Sequence, residues 1–294
     1  MALTLRQLNR ATLARQMLLR REAVPVVDAV RRIVAVQAQE PASPYIALWN
    51  RIAGFDAADL DAAFRDRRLV KASLIRITLH AVDAHDYTTF HEAMLNNLRA
   101  SRLRDRRFTS TGLTAADADA VVPHLVELAS QRAVTQTEIE AMLAERLGAE
   151  PEPRMWWALR TFAPLTHAPG GGPWSFGPRA SFVAAPTSPA RTDPHDSLQR
   201  LLRRYLEGFG PATGADFGQF ALQRQPPVRA ALEAMAGTLV THEGPGGVEL
   251  LDVPGGLLPD EDTPAPPRLM AMWDSVLLAH VDRDRIIPRE YRGG

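Results

Sequence analysis

The stretch Val36-Gln37-Ala38-Gln39-Glu40-Pro41 places two neutral amides, Gln37 and Gln39, two positions apart. Amide oxygens accept hydrogen bonds and amide nitrogens donate them, so a converging pair can hold one water or one ligand without carrying charge. Val27, Val30 and Val34 lead into Gln37 at helical spacing, which predicts a helix from Pro25 to near Gln37. In a continuous helix, residues two apart point about 200° from one another and share no partner. Pro41 opposes continuation of that helix, and unwinding there would let both amides meet one water. The alternative is that one glutamine faces solvent while the other caps the helix end.

Other chemistry is weakly encoded. His80, His85 and His91 are spaced five and six apart, cross from a strand into a helix, and match no common metal site. His124 and His167 stand alone. Gly170-Gly171-Gly172 lacks the lysine and the preceding strand of a phosphate-cradling loop, and no Gly-x-Ser-x-Gly stretch supports an acyl-transfer nucleophile. The chain has no cysteine, which excludes disulfides and thiolate metal sites and suits a reducing cytoplasm. Arg6, Arg10 and Arg15 interrupt the only N-terminal run that could resemble a signal peptide, and no segment approaches the roughly 18 apolar residues of a membrane span. The expectation is a soluble cytoplasmic protein.

The 34 basic and 34 acidic side chains cancel, but not evenly along the chain. Residues 1–110 hold 18 basic and 11 acidic side chains, a net of +7, and residues 111–294 carry the opposite −7. A polyanion surface therefore belongs mainly in the first third. Its densest basic run is Arg99, Arg102, Arg104, Arg106 and Arg107, which predicts phosphate contacts; the competing reading is a solvated face.

The elements that must position these groups recur in order. Thr4-Leu5-Arg6-Gln7 predicts a capped helix to about Arg20. The helix from Pro25 follows, then a short aromatic segment from Tyr45 to Asn50 and a helix from Asp59 to Arg67. Val70 to Val82 alternates as strand, with Ile75, Ile77 and Leu79 on one face and Arg76, Thr78 and His80 on the other. Thr114 to Ala129, Thr135 to Leu147 and Arg154 to Phe162 repeat the helices. Leu165 to His167 and Trp174 to Phe176 then flank a Pro/Gly hairpin tip. After a linker from Ala185 to Pro194, helices at His195 to Glu207, Thr213 to Leu222 and from Pro226 precede a second glycine-rich hairpin, Thr238 to His242 and Val248 to Asp252.

This pattern predicts an α+β fold, mainly α, of tandem winged-helix (helix-turn-helix) domains. They comprise residues 1–110 with the basic connector, 111–190 with the linker, 191–256, and a C-terminal segment 257–294 that starts a β-rich unit. Winged-helix units ordinarily bind duplex DNA. The weakly basic third helices argue against three operator-reading modules and favour one shared DNA surface.

Four stretches stand out together: Val36-Gln37-Ala38-Gln39; Arg76-Ile77-Thr78-Leu79-His80; Arg204-Tyr205-Leu206 with Phe209-Gly210-Pro211-Ala212-Thr213; and Asp274 with Leu277-Leu278-Ala279-His280-Val281-Asp282-Arg283. In combination they resemble one family, the AlkZ-like winged-helix DNA glycosylases. The resemblance implies tandem winged helices around a concave DNA-binding face. It implies a DNA N-glycosylase that excises N-alkylated purines, and for some members crosslinked bases, in DNA repair, with no metal or organic cofactor. It implies a monomer acting on double-stranded DNA at the nucleoid, away from membranes. It places the catalytic role, positioning of the hydrolytic water, on Gln37 and Gln39. It puts Arg76, Thr78, His80, His280, Asp282 and Arg283 in the pocket or facing DNA. Family members usually continue into further strands past the His-x-Asp-Arg segment, so the C-terminal β-rich unit is expected to be incomplete. Ala279 and Trp273 stand where the family often has Gly and Phe, departures expected to be tolerated or to reshape the pocket floor. The alternative on the same scaffold is a non-catalytic winged-helix DNA-binding or regulatory protein.

Overall fold

The computed structural model describes residues 2–148, 153–171, 174–186 and 193–291. Thr4 caps α1 (Leu5–Arg15) by accepting from the Gln7 amide, and Leu8, Ala11, Thr12 and Arg15 face inward. The helix stops at Arg15 rather than near Arg20, just before Met17 takes a φ of 56°. Pro25 precedes α2 (Val26–Arg32), which ends well short of Gln37. Val34 has a φ of 76°, a conformation that no right-handed helix passes through, and β1 (Val36–Gln37) follows it. Next come α3 (Ser43–Trp49) and α4 (Ala57–Arg65), then the antiparallel hairpin β2 (Leu69–Ser73) and β3 (Leu79–Asp83). The expected unbroken alternation through residues 75–77 is absent. Those residues form a tight 3-10 turn in which Arg76 and Ile77 have φ of 52° and 60°.

The second set comprises α5 (Ala84–Leu103), the one-turn α6 (Arg106–Thr109), α7 (Ala115–Gln131), β4 (Val134–Thr135), α8 (Gln136–Leu147) and α9 (Pro153–Phe162). Reciprocal capping boxes start α7 at Thr114 and Asp117, and α8 at Thr135 and Glu138. β5 (Leu165–Ala168) pairs with β6 (Ser181–Ala184), not with the expected Trp174–Phe176 stretch. Trp174 and Ser175 have φ of 64° and 56°, incompatible with a strand, and Phe176 turns inward against Phe64. Part of the expected hairpin tip (172–173) and most of the expected linker (187–192) lie outside the described residues. The third set is α10 (Pro194–Phe209), α11 (Gly214–Ala221), α12 (Gln225–Met235) and the hairpin β7 (Val240–Glu243) with β8 (Glu249–Asp252), close to expectation.

The fold is α+β and mainly helical. Six strands form one sheet in the order β1-β3-β2-β5-β6-β4, joined at its centre where Lys71 faces His167. One apolar core runs from Val34 through Phe90 on α5 and Tyr205 on α10 to Ala279, so the three sets of elements share a single interior. A second core lies under α2, α3 and α4. Arg15 ties the ends of the chain together. Fully buried, it forms a bidentate pair with Asp252 at 2.7 Å on both oxygens and donates to the Leu206 carbonyl. Gly210 makes that approach possible, because a Cβ there would sit 2.7 Å from the Asp252 carboxylate and 2.8 Å from the Arg15 guanidinium. Beyond β8, no strand occurs among the described residues. The chain runs as an irregular strap fastened by Asn50 to the Leu269 carbonyl, Tyr205 to the Ala279 carbonyl and Asn9 to the Arg285 carbonyl.

Candidate active site

β1 and the bend that follows it carry the two glutamines. Gln37 sits opposite His80 in the β1–β3 ladder, and the Ala38 amide continues the ladder by donating to Leu79. Gln37 ends β1 and Gln39 follows in a bend just beyond it, and the two reach one cleft from there, whereas the expected route was an unwound helix. Gln37 is buried, its Oε1 accepts from the Gln39 backbone amide at 3.2 Å, and the Gln39 side chain is exposed. Both line an open cleft of about 420 Å³ together with Arg76, Thr78, Trp273 and Leu278. Gln37 also backs onto a small enclosed space lined by Gln16, Arg51, Asp274 and Ser275.

The turn between β2 and β3 delivers the polar wall. Its two left-handed residues push Arg76 toward the cleft, where the guanidinium faces the Phe220 ring at 5.7 Å and Nη1 is buried without a partner. Burial lowers the Arg76 pKa to about 10, which leaves it cationic at neutral pH. Thr78 folds its hydroxyl back onto the Ile75 carbonyl. His80 is completely buried, and its Nδ1 lies 3.0 Å from the Thr78 carbonyl. Desolvation, helped by the Arg76 charge, depresses its pKa to about 3. It is therefore neutral, donates from Nδ1 to that carbonyl, and leaves Nε2 as a buried acceptor without a partner. The cleft lining contains no carboxylate among the described residues, so its chemistry rests on amides, one cation, a hydroxyl and an indole.

The model of the AlkZ-like DNA glycosylases matches residues 30–294, most of the chain and every element of this cleft. The chain belongs to the AlkZ-like DNA glycosylase family. It is a DNA N-glycosylase, and DNA is its substrate. Its fold is similar to that of the Streptomyces sahachiroi DNA glycosylase AlkZ, with a TM-score of 0.79, 22% identity, and coverage of 99% of this chain and 82% of that one. No curated protein sequence matches. No helix among the described residues is long and apolar enough to cross a membrane.

In this glycosylase the four motif stretches divide by task. Two of them, at Gln37–Gln39 and Arg76–His80, build the cleft. The third and the rest of the fourth clamp the C-terminal strap, while Leu278 of the fourth also lines the cleft. Tyr205 donates to the Ala279 carbonyl, and Asp216 caps α11 through Thr213 while accepting from the Val281 amide. His280 was expected to face DNA, but it is buried against Tyr205 and Phe209, with Nε2 3.0 Å from the Phe209 carbonyl. Burial and the nearby Arg285 push its pKa down, so it is a neutral packing residue. Asp282 and Arg283 lie on the surface, where Asp282 accepts from the Asp284 amide. Neither lines the cleft.

The basic run is smaller than its sequence suggests. Arg99 forms a bidentate pair with Asp119 at 2.6 and 3.0 Å, and Arg107 one with Asp105. Arg102 donates to Thr161 and lies over the Trp157 ring at 4.6 Å. Arg104 and Arg106 are the exposed members without a carboxylate among the described residues. Trp273 and Leu278, both quoted with the family resemblance, reach the cleft from the far end of the chain. Sequence reasoning missed Arg51. Arg51 forms a bidentate pair with Asp274 behind Gln37, at 2.9 and 3.0 Å. The only available signal for that pair was an arginine inside an otherwise apolar stretch.

Proposed function

We propose that this glycosylase hydrolyses the N-glycosidic bond of N-alkylated, cationic purines in double-stranded DNA, with Gln37 and Gln39 holding the attacking water. The observation that carries this reading is the pair of neutral amides, Gln37 on β1 and Gln39 just after it, lining one cleft whose described residues include no carboxylate. A purine alkylated on a ring nitrogen is positively charged and leaves readily. As the C1′–N bond breaks, the base takes the bonding electrons and becomes neutral, and positive charge develops on the sugar carbon. Water then bonds through oxygen to C1′ and loses a proton to solvent. Amide oxygens aimed at that water orient it and stabilise its growing positive charge, and no general acid is required for the leaving base. An undamaged purine lacks the leaving ability, which supplies selectivity without shape discrimination.

The same arrangement suits bases in interstrand crosslinks, since the cleft is open rather than a closed cage around an extruded base. Arg104 and Arg106 supply backbone phosphate contacts, and Arg76, with a buried donor unused, sits where a phosphate or base oxygen can complete it. The protein acts as a monomer. Incubation with duplexes containing N7-methylguanine, followed by alkaline cleavage at abasic sites, tests the reading. Strand cleavage at the lesion is expected, and duplex that is bound but never cleaved would instead support a non-catalytic DNA-binding role.

A further inference from the structure

Trp273 occupies a place that ordinary packing does not explain. The Asp274 amide donates to the Ala271 carbonyl at 3.2 Å, closing a four-residue turn with Trp273 at its third position and a φ of 61°. That position favours glycine or asparagine, and a bulky aromatic there is strained. The surroundings hold it in place: Ala271 and Asp274 are both buried, Asp274 is locked to Arg51, and Asn50 fastens Leu269 just upstream. The side chain gains only partial burial in return. It is 56% exposed, while Trp156 in the core is 2% exposed. It instead faces the cleft shared with Gln37 and Gln39. A strained, externally braced aromatic left open beside the candidate catalytic amides is the pattern of a ligand-contacting residue.

We propose that Trp273 is the specificity-determining residue that stacks on the alkylated base and selects for its positive charge. The inference rests on the reading of this cleft as the site of alkylpurine excision. A tryptophan face attracts cations through its quadrupole more strongly than any other side chain. The cleft lining holds no carboxylate among the described residues and its two amides are assigned to the water, which leaves the indole face to favour a cationic ring over a neutral one of equal size. The Arg76 guanidinium lies toward Phe220. The attraction is greatest in the bound substrate and disappears as the leaving base becomes neutral. Trp273 therefore governs lesion recognition and product release more than the bond-breaking rate.

The test compares three duplexes that differ at one base: guanine, O6-methylguanine, which is neutral, and N7-methylguanine, which is cationic. The N7-methyl nucleotide carries a 2′-fluoro sugar to block cleavage during binding measurements. Wild type is expected to bind the N7-methyl duplex more tightly than the O6-methyl duplex. Trp273→Leu should lose that preference by about tenfold, while Trp273→Phe retains most of it. The saturating single-turnover rate on the cleavable lesion should change by less than about threefold in either variant. Trp273→Gly suits the backbone and should melt no lower than wild type yet lose the preference as Trp273→Leu does, which separates recognition from folding. Equal preference in wild type and Trp273→Leu overturns the inference, as does a wild type that does not distinguish the two methylated duplexes. The excision reading is judged separately by base release. Release without charge preference defeats only the Trp273 assignment, and preference without release supports that assignment while defeating the excision reading.

Discussion

Asp274→Asn should strongly destabilise the protein even though the residue does not line the cleft. Arg51 is 1% exposed, and its guanidinium is fully committed: Nε donates to the Gln16 carbonyl, Nη1 to the Ala47 carbonyl, and both terminal nitrogens to Asp274. Asp274 also accepts from the Val276 amide, so the pair fastens α3 and the end of α1 to the C-terminal strap. Removing the carboxylate charge leaves a buried cation uncompensated, which costs about 3–5 kcal/mol. For a chain of this size, each kcal/mol lowers Tm by about 2–4 °C, so a fall of about 6–20 °C is expected. The same pair lines the space behind Gln37, so the surviving folded fraction should also excise more slowly. Differential scanning calorimetry at pH 7 reads the first effect. The double variant Arg51→Met/Asp274→Leu, which removes both charges, should recover much of the loss. A single variant melting within 2 °C of wild type would refute the assignment of the pair as the brace of the strap.

Three further outcomes follow from particular groups. His80 and His280 are buried neutral, with His80 held near 3, whereas an unfolded histidine titrates near 6.5; the unfolded chain therefore binds more protons below that value. Stability is then fully present above about pH 6.5 and falls as the pH drops toward 3, by up to about 2.7 kcal/mol per pH unit for the two together; urea unfolding at pH 7, 6 and 5 with no such decline would contradict their neutral burial. Lys71 is the single lysine of the chain, buried with its amine 4.6 Å from the Phe176 ring centre, and burial lowers its pKa to about 8. Selective lysine isotope labelling yields one side-chain signal, expected to titrate near 8, and a midpoint near 10.5 would show the amine to be solvated. Reversing Arg104 and Arg106 to Glu should lower the slope of log affinity against log salt by about two, whereas reversing the paired Arg99 and Arg107 should change it less; equal effects would mean that the ion pairs open on DNA.

The parts of the fold written in local signals were legible from sequence. Thr4, Thr114 with Asp117, Thr135 with Glu138 and Thr213 with Asp216 announce helix starts through caps that the backbone uses as expected. Gly246 and Gly247 mark the β7–β8 turn with φ of 70° and 79°. The parts set by distant packing were not. Val27, Val30 and Val34 continue a helical period, yet Val34 leaves it with a φ of 76°, its side chain packed over Gly208 on α10, where a Cβ would come within 2.6 Å. That departure turns Gln37 from a helix-end residue into a strand residue. The non-glycine left-handed backbone at Arg76, Ile77, Trp174 and Trp273 has no sequence signature either, since each is imposed by the elements packed around it. The family resemblance pointed to the two glutamines, which line the cleft, and equally to His280, which does not. The histidine's burial between α10 and the strap depends on Tyr205 and Phe209, seventy or so positions away.

The role given to Gln37 and Gln39 is tested most directly by pairing single-turnover excision with binding on one N7-methylguanine duplex. Gln37→Ala and Gln39→Ala should each slow excision by about tenfold or more, the scale of one lost positioning contact, while the dissociation constant changes little because phosphates supply most of the affinity. Unchanged excision rates in both variants, or binding lost in step with rate, would contradict the two amides as the groups that hold the attacking water.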